Sequence, residues 1–248
     1  MAMAASPNFS AAVYATDLPD PMSVFEKREP VPHCCNQRRR RADILCNARR
    51  MLAAEGYRGV SLREVADRSE VSVQTVYNLV GSRTTVLADA VVGHIAANAR
   101  ASFEREAYPN AILALSDAYW ESAICYPQYT RNAVMTYFPP DRLLYDQIHR
   151  RGIAILRDGF RRMSSEGKLR SVDVQTLSMR IAAMHAIVTL DGLSGYLDNA
   201  SYRREMVNGV GLMLLPSVTS QHGEEIKAWL ADFDLWGGTP RDPSIVGK

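Results

Sequence analysis

Three polar side chains, Gln74, Thr75 and Asn78, stand close together in a segment that otherwise supplies valines. At the 100° per residue of an α-helix they share one side, and the valines at positions 73, 76 and 80 fall on the other. Amide side chains bond bidentately to adenine in the major groove, and threonine can contact the methyl group of thymine. The segment therefore predicts a short helix that reads DNA bases; the alternative is a solvated helix face.

Candidate phosphate contacts surround this helix. Ser61 and Ser72 stand at predicted helix N-termini, where backbone amides and the helix dipole favour phosphate. Arg63 is long enough to reach a phosphate or a guanine edge. Arg83 is expected in the first turn of the following helix, where a cation is unfavourable for the helix dipole. A phosphate bound beside Arg83 would explain that position.

Hydrophobic side chains recur at helical spacing in this region and predict four consecutive helices, the first over residues 42–56. Ser61 and Glu64 have the spacing of a capping box, which marks the start of the second helix. Ser72 and Ser82 are positioned to begin the third and the fourth. The side chains expected to face inward on the first and fourth helices are Ile44, Leu45, Ala48, Met51, Leu52, Val86, Leu87, Ala90, Val91 and Ile95.

The charge of the chain is unevenly distributed. The 248 residues carry a net charge of +2, but residues 38–83 hold ten arginines against five acidic residues, a surplus of +5 that leaves −3 for the remainder. A basic module on a mildly acidic body indicates a polyanionic partner for the module alone. The run Arg38–Arg41 is either an arm that contacts the minor groove or phosphates, or a solvated charge run.

Residues 44–87 resemble the DNA-binding domain of TetR-type transcriptional regulators. The resemblance rests on "GYRGVSLREVA", then "VSVQTVY", then a small-residue turn followed by a basic residue and a leucine. It implies that residues 72–79 form the recognition helix and that Tyr77 contacts a phosphate. Arg83 occupies the place of the family's phosphate-binding lysine. Glu70, Leu79 and Val80 depart from the family pattern, so the operator sequence does not follow from the resemblance.

The whole chain is predicted to be all-α, because beyond residue 100 the helical spacing continues and alternating strand patterns are almost absent. We expect an N-terminal three-helix DNA-binding domain with a helix-turn-helix, followed by a larger helical ligand-binding and dimerisation domain. The predicted division is a disordered arm over 1–37, the DNA-binding domain over 38–84, the larger domain over 85–222, and a tail over 223–248 that is partly helical and then disordered.

The larger domain is expected to bind a small, largely hydrophobic effector, because it is rich in aromatic residues and methionines. The candidate ligand-binding residues are Tyr119, Trp120, Tyr137, His149, Met184 and His185. His94 and His185 are alternatively core histidines with satisfied hydrogen bonds. The last two large helices, over 174–197 and 202–215, are too apolar to be exposed on one face, and the resemblance implies that they form a homodimer interface; the alternative is interior packing within a monomer. Gly209 and Gly211 would permit close contact there.

These features predict a homodimeric transcription factor, a repressor that binds a palindromic double-stranded DNA operator and is released by a ligand. The same residues are compatible with an activator, or with a carrier protein that keeps the helix-turn-helix as a scaffold. We predict no enzymatic activity, because motifs such as G-x-S-x-G, a phosphate loop and H-E-x-x-H are absent. No cofactor or metal site is expected, the four cysteines are predicted to be reduced, and the chain is predicted to be cytoplasmic with no membrane span or signal peptide.

Overall fold

A computed structural model describes residues 35–105, 108–137 and 142–231 of the chain. These residues form α-helices and two short 3-10 turns, with a single isolated β-bridge between Leu169 and Val218. The helices are α1 (Cys35–Gly59), α2 (Leu62–Arg68), α3 (Val73–Leu79), α4 (Arg83–Arg105), α5 (Ala111–Cys125), α6 (Pro127–Val134), α7 (Arg142–Ser165), α8 (Val174–Leu193), α9 (Asn199–Leu214) and α10 (Ser220–Ala231). The all-α prediction is confirmed, while the disorder predicted before residue 35 and after residue 231 lies outside the described residues.

Helix α1 starts seven residues earlier than its apolar spacing predicts, at Cys35 instead of Ala42. The run Arg38–Arg41 therefore lies inside the helix and not in an arm before it. The apolar stripe gave no sign of this start, because four consecutive arginines favour a helix without adding hydrophobic positions. Near the other end, Gly56 has a φ of +70° and interrupts the helical backbone.

Helices α2 and α3 start where their caps predict. The Ser61 hydroxyl accepts a hydrogen bond from the Glu64 backbone amide at 3.2 Å, and Ser72 caps α3 in the same way. The Glu64 carboxylate pairs with Arg68 at 2.9 Å and does not complete the capping box. Between α3 and α4, Gly81 has a φ of +122°, a conformation that residues with a side chain rarely adopt.

Helix α4 joins the N-terminal module to the rest of the chain. It packs against α1 of the module and against α5 and α7 of the larger body. All ten side chains predicted to face inward on α1 and α4 are buried. One continuous apolar cluster extends from Ile44 of α1 to Leu230 of α10, so the module and the larger body share a core.

Helix α10 belongs to this core. The tail predicted from residue 223 begins inside α10, whose Ile226 and Leu230 are fully buried against the body. His222 anchors the first turn, because its Nε2 lies 3.1 Å from the Asn110 amide nitrogen at the start of α5. The helix starts earlier than its apolar residues indicate, since its first turn is held by polar contacts.

Candidate nucleic-acid interface and cavity

The polar side of α3 faces solvent. Gln74 and Asn78 are exposed one turn apart, and Gln74 Nε2 donates to Asn78 Oδ1 at 2.8 Å. This hydrogen bond leaves an acceptor on Gln74 and a donor on Asn78, which is the pair that an adenine edge requires. Thr75 is half-buried beside them, and its hydroxyl lies 2.9 Å from that of Ser72. The structure thus brings together the residues predicted to contact bases.

The inward side of α3 is narrower than predicted. Val76 is fully buried and Val80 is half-buried, whereas Val73 is 43% exposed. The prediction for Val73 was wrong because this residue begins a helix of only seven residues, where neighbouring helices cover less of the surface. Leu79 packs against the core, and Tyr77 is 58% exposed at the edge of the polar side. Tyr77 is thus accessible to a phosphate.

The first turn of α2 adds a cation to this surface. Arg63 is exposed, and its guanidinium has no hydrogen-bond or ion-pair partner within the described part of the chain. Ser61 precedes it as the exposed cap residue of α2. Helix α2 packs directly against α3. Arg63 is consequently available for a phosphate or a base next to the polar side of α3.

Arg83 has a contact inside the module that the sequence did not reveal. Its Nε donates to the backbone oxygen of Val60 at 2.5 Å, and its Nη2 donates to the backbone oxygen of Tyr57. These two carbonyl groups come after the interruption of α1 at Gly56, near the C-terminal end of the helix. Carbonyl groups at a helix C-terminus attract a cation. The unfavourable position of Arg83 on its own helix therefore has an internal explanation and does not by itself indicate a phosphate.

Arg41 is also engaged within the chain. Its guanidinium forms an ion pair with the buried carboxylate of Asp89 on α4. Because α1 begins before the arginine run, residue 41 falls next to the buried Ala42, on the inward side of the helix. Arg41 therefore has a contact within the fold, and its contact with DNA stays a prediction, whereas Arg38, Arg39 and Arg40 are exposed.

Replacing Ser72 with alanine should lower the free energy of unfolding by about 1 kcal/mol, because the Thr75 amide loses its capping acceptor. DNA affinity should fall with it, since the first turn of α3 would fray. Urea denaturation and DNA titration of the variant measure both effects. A Ser72→Asp variant, which can still cap the helix, should retain the stability. Equal stability of the alanine variant and the wild type would contradict the capping role.

A cavity lies in the larger body between α4, α5, α6, α7 and α8, with a volume of about 40 Å³. This is room for a few water molecules, so a larger ligand would have to displace side chains. Four of the six predicted ligand-binding residues line it, namely Tyr119, Tyr137, His149 and His185. The other lining residues are Val91, Val92, Ile95, Leu115, Ser122, Tyr129, Thr130, Ala133, Val134, Gly152, Ile155, Leu156 and Ala182.

The other two predicted ligand-binding residues, Trp120 and Met184, do not line the cavity. Trp120 Nε1 donates to the Asn199 backbone oxygen at 3.1 Å, and the guanidinium of Arg203 lies 4.6 Å from its ring centroid. Met184 packs against Gly209 of α9. Trp120 directly follows the cavity residue Tyr119, and Met184 directly precedes the cavity residue His185. Because neighbouring residues of a helix are rotated by 100°, both side chains point to another side of their helix. They do not line this cavity for that reason, and their contact with a ligand stays a prediction.

Sequence reasoning missed several cavity residues. Gly152 and Leu156 lie one and two turns after His149 on α7, and helical spacing from His149 would have identified them. Ser122 and Thr130 gave no such signal. Their hydroxyl oxygens lie 3.0 Å apart, and they come from α5 and α6, whose packing is not evident from spacing.

Burial keeps one histidine and two tyrosines of the cavity lining in their neutral forms. Burial lowers the pKa of His185 to about 3, and its Nε2 lies 3.0 Å from the Ser116 hydroxyl. Burial raises the pKa of Tyr137 to about 12 and that of Tyr119 well above its usual value. The lining contains no carboxylate, lysine or arginine. The cavity is therefore suited to an uncharged, largely apolar molecule that makes a few hydrogen bonds.

His94 is a core histidine with polar partners, as one of the two alternatives predicts. Its Nε2 lies 3.1 Å from the Ser122 hydroxyl, and its ring meets that of Tyr129 edge-on with 4.6 Å between centroids. Burial, and then the positive charge of Arg49, lower the pKa of His94 to about 3. The side chain is thus neutral at pH 7.

We expect the protein to lose stability as the pH falls below about 6.5. His94 and His185 have a pKa of about 3 in the fold, whereas in the unfolded chain each would protonate near its ordinary value. Between these values the unfolded state binds more protons, so the free energy of unfolding falls by up to about 1.4 kcal/mol per pH unit for each histidine.

Urea denaturation at pH 7, 6 and 5 would measure this slope. A His185→Gln variant should show a shallower decrease, because glutamine has no ionisable group and can still reach the Ser116 hydroxyl. An unchanged slope in the variant would contradict the assignment of His185 as a buried neutral group.

A row of exposed apolar side chains runs along α8, and the neighbouring helix α9 exposes another apolar side chain. Met179 and Ile187 are about half exposed, and the exposed Ala183 lies between them at helical spacing. Leu212 on α9 is exposed to the same extent, and α8 and α9 pack against each other. Apolar side chains grouped in this way favour an interaction surface over ordinary solvent exposure.

The glycines of α9 make close contacts within the chain instead. A Cβ atom on Gly209 would lie 2.7 Å from Met184 Sδ of α8, and one on Gly211 would lie 2.5 Å from Leu230 Cδ1 of α10. Both distances are too short for a side chain. The glycines thus permit α9 to approach its own neighbours, and they no longer support contact with a second chain.

The described residues show neither a cluster of three or more histidine, cysteine or acidic side chains able to hold a metal ion, nor a helix with the length and apolarity that a membrane crossing requires. Cys46 is a free thiol.

Residues 44–89 match the sequence profile described as bacterial regulatory proteins of the tetR family. The matched range begins in α1, contains α2 and α3 completely, and ends in α4 at Asp89. The match therefore covers the whole polar surface described for α2 and α3. No curated protein sequence gives a significant match to the chain.

Solved structures of regulators share the fold. A protein from Rhodococcus sp. assigned to the TetR-family transcriptional regulators is 19% identical, with a TM-score of 0.54 over 70% of this chain and 97% of that chain. TylP, a TetR regulator from Streptomyces fradiae, is 16% identical, with a TM-score of 0.51 over 79% of this chain and 90% of that chain. At these identities the likeness establishes the arrangement of helices and no finer property.

Proposed function

From the match of residues 44–89 to the tetR family of bacterial regulatory proteins, we propose that the chain is a homodimeric transcriptional repressor released from its operator by a small ligand. Helices α2 and α3 are its helix-turn-helix. The proposal places the protein in the cytoplasm, where bacterial DNA lies.

The observation that carries the proposal is the exposed amide pair on α3. Gln74 and Asn78 offer an acceptor and a donor on one side of a helix whose other side is held by Val76. Arg63 and Tyr77 lie exposed on the same module, where they could contact phosphates on either side of the bases. A helix with this polar side fits the major groove of DNA.

The exposed apolar row of α8 and α9 supports a homodimer. Two chains that bury Ile187 and Leu212 against each other would present two copies of α3 related by two-fold symmetry. Such a pair reads two half-sites about one DNA turn, or 34–36 Å, apart. The operator is then a palindrome.

The cavity supports release by an uncharged, largely apolar ligand. Its walls include Val91 and Ile95 of α4, the helix that continues into the DNA-binding module. A ligand that enlarges the cavity would favour a conformation in which α4 is displaced. If that conformation spaces the two α3 helices differently, the ligand lowers DNA affinity by shifting the population.

The test is selection of genomic fragments by the purified full-length protein. We expect enrichment of a small number of fragments that contain a palindrome, with binding that weakens steeply as the salt concentration rises. An Arg63→Ala, Asn78→Ala variant should fail to enrich the same fragments. No enrichment by the wild type, or equal enrichment by the variant, would contradict the proposal.

A further inference from the structure

Asp89 is a buried carboxylate shared by two arginines from distant parts of the chain. It lies in the second turn of α4 and is 5% exposed. Its Oδ2 is paired with the Arg41 guanidinium of α1, and its Oδ1 accepts from Arg151 Nε of α7 at 2.7 Å. Arg41 and Arg151 are 110 positions apart in sequence, and Asp89 joins them at one point.

The Asp89 carboxylate balances the positive charges of the two arginines that it binds. The Arg41 and Arg151 side chains are 29% and 24% exposed, so both guanidinium groups are largely removed from solvent. Without Asp89, two positive charges would remain close together with less water to screen them. Loss of the carboxylate should therefore separate α1 from α7 locally, beyond the loss of two hydrogen bonds.

Arg151 connects this ion pair to the cavity. It immediately precedes Gly152, which lines the cavity, and its Nη1 donates to the Gln147 side chain at 2.8 Å. Arg41 lies on α1, the helix against which α3 packs. The path from the cavity wall to the DNA-reading helix thus passes from α7 through Asp89 to α1.

A second polar contact holds the other end of α1. Asn132 of α6 donates from its Nδ2 to the backbone oxygens of Leu52 at 2.9 Å and Ala53 at 3.1 Å. Asn132 precedes the cavity residue Ala133. Polar contacts thus hold α1 at two separated points, in addition to its buried apolar side chains.

We propose that Asp89 is a positioning residue that fixes the DNA-binding module on the cavity wall by binding Arg41 and Arg151 at once. The inference rests on the proposed function for its effect on DNA affinity. Its structural content, that the carboxylate holds α1 against α7, is independent of DNA.

The experiment compares Asp89→Asn with Asp117→Asn in the full-length protein. Asp117 is an equally buried carboxylate that accepts from Arg203 at 2.8 and 2.6 Å, but it joins α5 to α9 away from the module. Both variants should lose thermal stability. Only Asp89→Asn should accelerate amide hydrogen exchange near residues 38–48 and 147–155, and it should weaken binding to the fragment selected by the wild type about tenfold.

Arg151→Gln and Arg151→Lys provide the test if Asp89→Asn does not fold. Neither residue change touches the predicted DNA surface, so an effect on DNA affinity must pass through Asp89 and the helices that it joins. We expect Arg151→Gln to weaken DNA binding and Arg151→Lys, which keeps the charge, to restore most of it.

Unchanged hydrogen exchange around α1 and α7 in Asp89→Asn would overturn the inference whether or not the protein binds DNA. Faster exchange with wild-type DNA affinity would overturn it too, because positioning would then have no effect on DNA binding. A wild-type protein that selects no fragment contradicts the proposed function instead, and the exchange data alone then decide whether Asp89 holds α1 against α7.

Discussion

Replacing Gln74 and Asn78 together with alanine is expected to lower the affinity for the selected operator by about 30-fold or more, since each bidentate contact to a base is worth about 1–3 kcal/mol. The loss should be specific for sequence. Binding to unrelated DNA depends on phosphate contacts, which Arg63 and the neighbouring module would retain. Stability should hardly change, because both side chains are exposed and bond only to each other.

Fluorescence anisotropy titrations with the operator and with a scrambled duplex give two affinities, and their ratio measures the specificity for sequence. Gln128→Ala is the matched control, because Gln128 is an exposed amide on α6 in the larger body. It should leave both affinities unchanged. If the double variant kept the wild-type preference for the operator, α3 would not be the element that reads the bases.

Replacing Ile187 with glutamate is expected to convert the proposed dimer to a monomer. The side chain is 52% exposed at one end of the apolar row on α8, so the single chain should tolerate the change. In a two-fold interface, however, two carboxylates would be buried without partners, which is strongly unfavourable. Operator affinity should then fall by about 10²-fold or more, because the two half-sites would be bound by separate molecules.

Sedimentation equilibrium of the variant gives its mass directly, and the same sample can be titrated with operator DNA. Ile187→Leu keeps the apolar surface and should remain dimeric with wild-type affinity. A dimeric Ile187→Glu variant would show that α8 does not form the interface.

The helix-turn-helix could be predicted because its signals are local in sequence. Ser61 and Ser72 cap their helices through amides three residues away, and the apolar side chains of α1 and α4 recur at the spacing that the structure buries. The start of α1 could not be predicted in this way. Its first turns contain Arg38–Arg41 and no apolar stripe, so hydrophobic spacing carried no information there.

The partners of individual arginines were not predictable from spacing. Arg41 meets Asp89 across 48 positions, and Arg83 meets Tyr57 across 26. Each contact depends on how helices pack, and no pattern in the sequence marks it. The cavity shows the same limit. The adjacent residues Tyr119 and Trp120 differ by 100° around α5, and only the position of the neighbouring helices decides which of them meets the cavity.

The most direct test of a dimer that reads DNA with α3 is a hydroxyl-radical footprint of the full-length protein on the selected fragment. We predict two protected segments related by two-fold symmetry, with centres about 10 base pairs or a multiple of one turn apart. The Gln74→Ala, Asn78→Ala variant should lose both segments at the same concentration. A single protected segment, or protection that persists in the variant, would contradict the account.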